Sequence, residues 1–391
     1  MTHRVLIVGG GIGGLAAALS LAARGIEVQV FEQAPTFSEV GAGIQLSPNC
    51  SRVLHGLGLA EALAAVAFLP EGTEMRQWRT GRLITRTPLG EVVRDRYGAP
   101  YYHVHRADLM TVLAGAAAAE PRIRLHPGVR IEAVGQDPES VRVTASGETF
   151  TGTVLLGADG IRSLVRETLF GSEAPTFTGN VAWRALVPAD RLTDGLIRPV
   201  TTVWWGPHKH FVHYYVRRGE LVNCVCVVEK RGWEVESWTE RGERRELEAD
   251  FAGWHPTIGT LIGAMDSQTC FKWALFDRPP MARWGQGRVT LLGDACHPTL
   301  PFMAQGAAMA IEDGAVLARC VAAGGDIVGS LARYEDLRRD RTARIQQGSR
   351  RNARVFHLSG IPALLRNRAA GRAGAGVTDW LYRYDALTAA D

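Results

Sequence analysis

The stretch RVLIVGGGIGGLAAALSLAARGIEVQVFE, residues 4–32, decides the fold class. Arg4 to Val8 reads as a short buried strand. Gly13 to Arg24 reads as a helix, with Leu15, Leu19 and Ala22 or Ala23 at helical spacing and Gly25 as its stop. Glu27 to Glu32 alternates and reads as the next strand. Between the first strand and the helix stand Gly9, Gly11 and Gly14, in the spacing G-x-G-x-x-G. The first permits a tight turn, the second lets backbone approach a pyrophosphate, and the third lets the helix pack closely on the strand. The helix N-terminus turns its N–H groups and dipole toward phosphates. Glu32, about twenty positions on, stands where an acid holds a ribose hydroxyl. Strand, glycine turn, helix and acid in this order predict a dinucleotide site.

The composition around this unit is that of an ordinary globular chain. Its 391 residues suffice for one large or two joined domains, with 46% hydrophobic and 21% charged residues. The formal charge of +4 comes from 44 basic and 40 acidic side chains, which leaves no nucleic-acid footprint. Cys50, Cys224, Cys226, Cys270, Cys296 and Cys320 form no CxxC pair and no zinc spacing. Scattered thiols fit a reducing cytoplasm. The glycine cluster breaks the only long apolar run near the N-terminus, so neither a secretory signal nor a membrane span is expected.

Further strands are expected at residues 129–134, 141–145 and 154–156, then an antiparallel block at 183–187, 200–205, 211–216 and 221–229, and a short buried strand at 289–292. Ala304 to Ala323 reads as a long apolar helix and Leu331 to Asn352 as a charged one. The arginines at 366, 368 and 372, set among Ala and Gly, read as a solvated or loosely ordered stretch. Two further motifs flank the antiparallel block. GADGIRSLVR (157–166) follows a strand and offers an acid and a possible helix cap; on physics alone it could equally be a capped helix start. LLGDACHP (291–298) puts a carboxylate at a strand end, placed for a ribityl or ribose hydroxyl, and Gln305-Gly306 opens a long helix whose dipole could face an anion. Taken alone, this too could be a turn.

The ordered set GxGxxG, D-G-x-x-S-x-x-R and G-D-A-x-H-P resembles the single-component flavoprotein aromatic hydroxylases, the para-hydroxybenzoate hydroxylase fold, over roughly residues 4–345. The segments EVGAGIQLSPN (39–49), HRADL (105–109), FKWALFDRPP (271–280) and HPTLPFMAQGAAMAIEDG (297–314) are similar to salicylate hydroxylase, 3-hydroxybenzoate 6-hydroxylase and 6-hydroxynicotinate 3-monooxygenase. The resemblance implies an α/β architecture: a Rossmann-like FAD-binding domain interleaved with a mostly antiparallel β-sheet substrate domain, then C-terminal helices. The division drawn is 1–75, 100–180 and 270–345 for FAD, 76–99 and 181–269 for substrate, and 346–391 for the C-terminal segment. It implies FAD, NAD(P)H (NADH favoured) and O2, acting through a flavin C4a-hydroperoxide on a small aromatic acid, in a monomer or homodimer. Gly9, Gly11, Gly14 and Glu32 would hold the ADP half, and Arg106 the ribityl or phosphate region. Asp159 would serve FAD and NAD(P)H, Asp294 the ribityl chain, and Gln305, Gly306 and Ala307 the isoalloxazine edge. Gln33 stands where many relatives carry Arg.

An electrophilic oxygen needs an electron-rich ring, so a base near the substrate hydroxyl is expected. In PHKHFVHYY (207–215), His208, His210 and Val212 share one strand face, with His213 and Tyr215 on the other. His210 matches the family's position for the catalytic histidine; a bland sheet histidine is the alternative. His208 and His210 lack a third ligand, so no metal is expected. Arg184 and Arg82 are candidates for a substrate carboxylate. Trp204, Pro301 and Phe302 are candidate pocket walls. The Pro301–Phe302 pair resembles the salicylate hydroxylase pattern, which implies decarboxylative conversion of salicylate to catechol; the 3-hydroxybenzoate and 6-hydroxynicotinate activities are the alternatives. An NAD-linked dehydrogenase would use the first motif but leave the other two unexplained; a non-catalytic flavin-binding protein would be yellow like the hydroxylases, yet would not consume NADH and O2 when offered phenolic acids.

Overall fold

A computed structural model describes residues 3–37, 42–230, 232, 240–266, 270–372 and 378–388. Glu39, Val40 and Gly41 of the segment at 39–49 lie outside these residues. The opening βαβ unit forms as read: strand Arg4–Val8, helix Ile12–Ala22, strand Glu27–Glu32. Its strands sit in a five-stranded parallel sheet in the order Val289–Leu291, Val154–Gly157, Arg4–Val8, Glu27–Glu32, Ile123–Pro127. Val5, Leu6 and Ile7 are fully buried, because helix Ile12–Ala22 packs on one face of the parallel sheet and the three-stranded antiparallel sheet Ala133–Gln136, Val141–Ala145, Glu148–Gly152 lies against the other. Helix Ile12–Ala22 packs against the long apolar helix Gly306–Ala322; a side chain at Gly314 would meet the backbone of Ala17 at 2.8 Å.

The antiparallel block is a seven-stranded sheet. Its order is Phe271–Asp277, Thr176–Pro188, Leu221–Glu229, Lys209–Val216, Val200–Gly206, Gly72–Gln77, Leu83–Pro88. Only Val200–Gly206 and Gly72–Gln77 run parallel. Its two faces have different work. Trp204, Phe211, Cys224 and Cys226 point toward Leu247, Phe251, Ile258 and Leu261 of two short helices and form a sealed core. Trp205, Val212, Val225 and Val227 point the other way, toward Leu300, Phe302 and Phe356. The period-2 alternation of the strand decides which side chains reach which side.

Three sequence expectations shift. Residues 129–134 are not one strand: Gly128 turns the chain at φ +74°, and the strand runs from Ala133 to Gln136. The neighbour that completes the parallel sheet is Ile123–Pro127, too short and too mixed in polarity to read from the sequence. Residues 360–372 form a helix rather than a loose stretch. Arg366 donates to the carbonyls of Val355 and Phe356, which close the preceding helix, and stacks over Trp205 at 4.7 Å. The sheets also cross the drawn division: Phe271–Asp277 pairs with Thr176–Pro188, so pairing puts 271–277 on the antiparallel side, and helix Ile327–Phe356 runs through the boundary at 345.

Candidate active site

A cavity of about 1110 Å³ lies between the two large sheets. It exceeds the usual few hundred to ~1,000 Å³ of a single small-ligand pocket, and so has room for a dinucleotide and a small ring together. Its wall brings together Gly9, Gly11, Glu32, Arg106, Asp159, Asp294, Gln305, Gly306, Ala307, Pro301 and His210. Residues far apart in sequence thus converge on one space.

At one end stands the glycine turn. Gly9 has φ +106°, a left-handed conformation that favours glycine. A Cβ at Gly14 would lie 2.0 Å from the Gly9 carbonyl oxygen, while a Cβ at Gly11 would meet nothing within 4 Å. Gly14 therefore answers to packing and Gly11 to whatever fills the cavity. Gly11 is the N-cap of helix Ile12–Ala22 and supplies no side chain to its N–H groups. The Glu32 carboxylate accepts from the N–H of Gly10 and of Ala34, both at 2.8 Å, which fixes it at the cavity edge. Asp159 Oδ1 is buried with no hydrogen-bond partner among the described residues, and burial raises its carboxyl above the usual range. Asp294 opens onto the cavity yet is ringed by protein. Burial raises its carboxyl, opposed by the neighbouring His297 and Arg106. A bare acceptor, a cradle without Cβ atoms and two uncapped helix N-termini fit a pyrophosphate-linked cofactor rich in hydroxyls.

The second helix start is held by a buried polar network that the sequence reading missed. Gln305 precedes helix Gly306–Ala322, and no side chain caps that helix. Gln305 Nε2 donates to Ser47 Oγ at 2.9 Å, and Asn49 Nδ2 donates to Gln305 Oε1 at 3.1 Å and Glu312 Oε1 at 2.6 Å. Arg338 reaches Asp313 Oδ1 and Glu312 Oε2, both at 2.7 Å, Arg341 reaches Glu312 at 2.8 Å, and His297 Nε2 reaches Asp313 Oδ2 at 2.6 Å. Arg341 and Arg338 beside Glu312, and His297 and Arg338 beside Asp313, hold both carboxyls below the usual range despite full burial. Two acids side by side in an apolar helix were the available signal, since buried carboxylates demand partners.

At the other end the antiparallel sheet supplies His210, Val212, Tyr214 and Val225 to the wall, and strand Gly43–Leu46 supplies Gln45. Gln45 accepts from Tyr101 Oη at 2.5 Å and is also a hydrogen-bond partner of Tyr214. His210 is buried, with Nδ1 2.8 Å from His357 Nε2. Burial and the neighbouring His357 hold it well below the ordinary imidazole value. Pro301 lines the cavity. Phe302 does not: it packs behind His210, ring centroids 5.1 Å apart. Trp204 is corrected as a pocket wall, because strand alternation turns it to the sealed face, stacked on His255 at 5.1 Å. Neither candidate for a substrate carboxylate is part of the wall. Arg184 is buried over Trp273 at 4.7 Å, lowered to about 10 by burial and the nearby Arg106, and Arg82 is exposed.

Comparison with known proteins agrees with this geometry. Residues 2–349 match the family described as FAD binding domain. A 3-amino-4-hydroxybenzoate 2-monooxygenase of Streptomyces platensis is 41% identical over 397 residues, covering 99% of this chain and 98% of that protein. A 3-hydroxybenzoate 6-hydroxylase of Polaromonas naphthalenivorans is 40% identical over 366 residues, covering 93% and 90%. A salicylate hydroxylase solved as a substrate complex superposes with a TM-score of 0.82 at 26% identity, covering 98% and 96%. No helix among the described residues is long and apolar enough to cross a membrane. The chain belongs to the FAD-binding family and, within it, to the FAD-dependent aromatic monooxygenases.

Proposed function

We propose that the protein hydroxylates the ring of a small phenolic acid, using NAD(P)H and O2, and that its substrate is an amino- or hydroxybenzoate of the kind named in its curated relatives. The relatives at 40–41% identity carry 3-amino-4-hydroxybenzoate and 3-hydroxybenzoate in their names, whereas the salicylate enzyme is 26% identical. That balance favours the alternatives over the salicylate reading drawn from Pro301 and Phe302. The observation that carries the proposal is the single cavity whose wall holds both the dinucleotide turn and His210.

Bound FAD, once reduced, supplies the two electrons that activate O2 for transfer of one oxygen atom to an electron-rich ring. The residues of this chain do the rest. Gly9, Gly11 and Glu32 would hold the adenine end, with Gly14 packing the helix against the turn behind them. Arg106, Asp159 and Asp294 would hold the phosphates and hydroxyls, and the N–H groups at Gln305–Ala307 the ring edge. Asp159 would also serve the transient NAD(P)H. His210 would accept the proton of the substrate hydroxyl at Nε2, since His357 occupies Nδ1. A neutral imidazole is the state a base needs, and burial keeps it neutral. Val212 and Val225 would flank the ring, with Gln45 and Tyr214 fixing its polar edge. The test is a panel of 3-amino-4-hydroxybenzoate, 3-hydroxybenzoate, 6-hydroxynicotinate and salicylate, followed by oxygen uptake and product analysis. Substrate-dependent oxygen uptake with hydroxylated product from one of the first two is expected. Turnover confined to salicylate, with catechol released, would overturn the substrate assignment.

A further inference from the structure

Behind His210 a continuous file of hydrogen-bonding groups leaves the cavity. His210 Nδ1 meets His357 Nε2 at 2.8 Å, His357 Nδ1 meets Glu229 Oε1 at 2.8 Å, and Glu229 Oε2 meets His208 Nδ1 at 2.8 Å. Backbone bonds tie the same residues together: His208 N–H donates to the His357 carbonyl at 3.1 Å, and Glu229 N–H to the His208 carbonyl at 2.9 Å. Exposure rises steadily along the file. The His357 side chain is 2% exposed, Glu229 42% and His208 68%. His208 and Glu229 open on a separate surface depression that also holds Lys230 and Arg354.

The order of donors follows from the carboxylate. Ionised Glu229 can only accept, so His357 must carry its proton on Nδ1 and present Nε2 as an acceptor. His210 must then donate from Nδ1, which leaves a lone pair on Nε2, the nitrogen available to the cavity. The file therefore selects the one neutral tautomer of His210 that can act as a base. Around His210 the packed side chains are the apolar rings Phe302 and Phe356, besides His357. The groups whose electrostatics bear on His357 are Glu229, Arg366 and the neighbouring His208. A protonated His210 in that setting is costly, so a proton taken from substrate is better passed on than kept.

We propose that His357 and Glu229 set the tautomer of His210 and conduct the proton of the substrate hydroxyl from the cavity to the protein surface at His208. The inference rests on the reading of His210 as the base. The substrate O–H bond breaks as an N–H bond forms at His210 Nε2. The Nδ1 proton of His210 moves to His357 Nε2, and the Nδ1 proton of His357 moves to the Glu229 carboxylate, from which water removes it at the surface beside His208. The same steps in reverse reprotonate the product hydroxyl and restore the starting tautomers. With FAD and substrate filling the cavity, the file offers an exit that does not cross either of them.

The test uses FAD-loaded protein and 3-amino-4-hydroxybenzoate or 3-hydroxybenzoate, whichever supports oxygen uptake, with a pH-indicator dye in a rapid-mixing experiment. Ligand absorbance reads phenolate formation and the dye reads proton release. His357→Phe and Glu229→Gln should slow both, and hydroxylation with them, by roughly ten- to a hundredfold. FAD content and substrate affinity should hold. Glu229→Asp should keep most of the rate, and added imidazole should restore part of it to His357→Ala, which a purely structural role would not allow. Wild-type proton release in His357→Phe or Glu229→Gln, with His210→Ala impaired, overturns the relay while leaving the base assignment standing. Wild-type turnover in His210→Ala removes both. Should His357→Phe fail to retain FAD, Glu229→Gln at its half-exposed site decides alone.

Discussion

Gly11 and Gly14 stand three residues apart and answer to different forces. A methyl at Gly14 would drive into the Gly9 carbonyl at 2.0 Å, whereas one at Gly11 would enter open cavity. Gly14→Ala should therefore destabilise the fold itself by roughly 1–3 kcal/mol, seen as a lower urea midpoint with or without FAD. Gly11→Ala should leave the apo-protein's midpoint in place and weaken FAD binding by about tenfold or more, a loss of ~1.4 kcal/mol. Equal effects of the two on apo stability would refute the division of roles. His210 belongs to this scale as well. His210→Ala should lower hydroxylation by roughly two to four orders of magnitude, the usual reach of a positioned base, with the flavin spectrum unchanged; oxygen uptake under saturating substrate measures it.

Helix Gly306–Ala322 carries two buried acids, Glu312 and Asp313, on an otherwise apolar surface. They are stable there because helix Ile327–Phe356 brings Arg338 and Arg341 across to them. The same carboxylates reach forward, Asp313 to His297 and Glu312 through Asn49 to Gln305, so the loop at 297–305 is fixed from behind. Removing Arg338 leaves Glu312, among the described residues, with only Arg341 as its cation and Asp313 with only His297 opposite it, and breaking a buried pair in this way typically costs about 3–5 kcal/mol. Arg338→Met should show a loss of that size in urea unfolding, and the surviving fold should hold FAD less tightly because the 297–305 loop loses its anchor. Flavin released on dilution is the readout. A variant as stable as the parent would mean that the network is dispensable.

Across the whole molecule, the cavity is the seam between a parallel sheet and an antiparallel one, and its walls come from both. A ligand filling such a seam binds only the folded state and stabilises it by mass action, by about 2.7 kcal/mol at a hundredfold excess over its dissociation constant. Stripping FAD should lower the melting temperature, and adding it back should restore it in a concentration-dependent way. A melting curve indifferent to FAD would count against the seam as the cofactor site.

What was legible in the sequence was whatever rests on short-range pattern. Residues 4–32 announce their strand, helix and acid because glycine spacing and hydrophobic period act within one βαβ unit. The alternation in residues 207–215 put His210 and Val212 on one face, and they do line one wall. The same alternation, extended to the paired strand, would have turned Trp204 away, but its facing depends on the register Trp205↔His210, which no single strand states. His357 lies 147 residues from the histidine it touches, and Arg338 lies 25 from Asp313. Local chemistry along the chain thus determined the cofactor turn and its βαβ unit, while His210 as candidate base came from the family resemblance. Only the tertiary structure decided which side chains share the cavity, that His357 stands behind His210 and how the buried charges are paired. Those depend on contacts between residues far apart in sequence, and such contacts exist only once the two sheets have closed on each other.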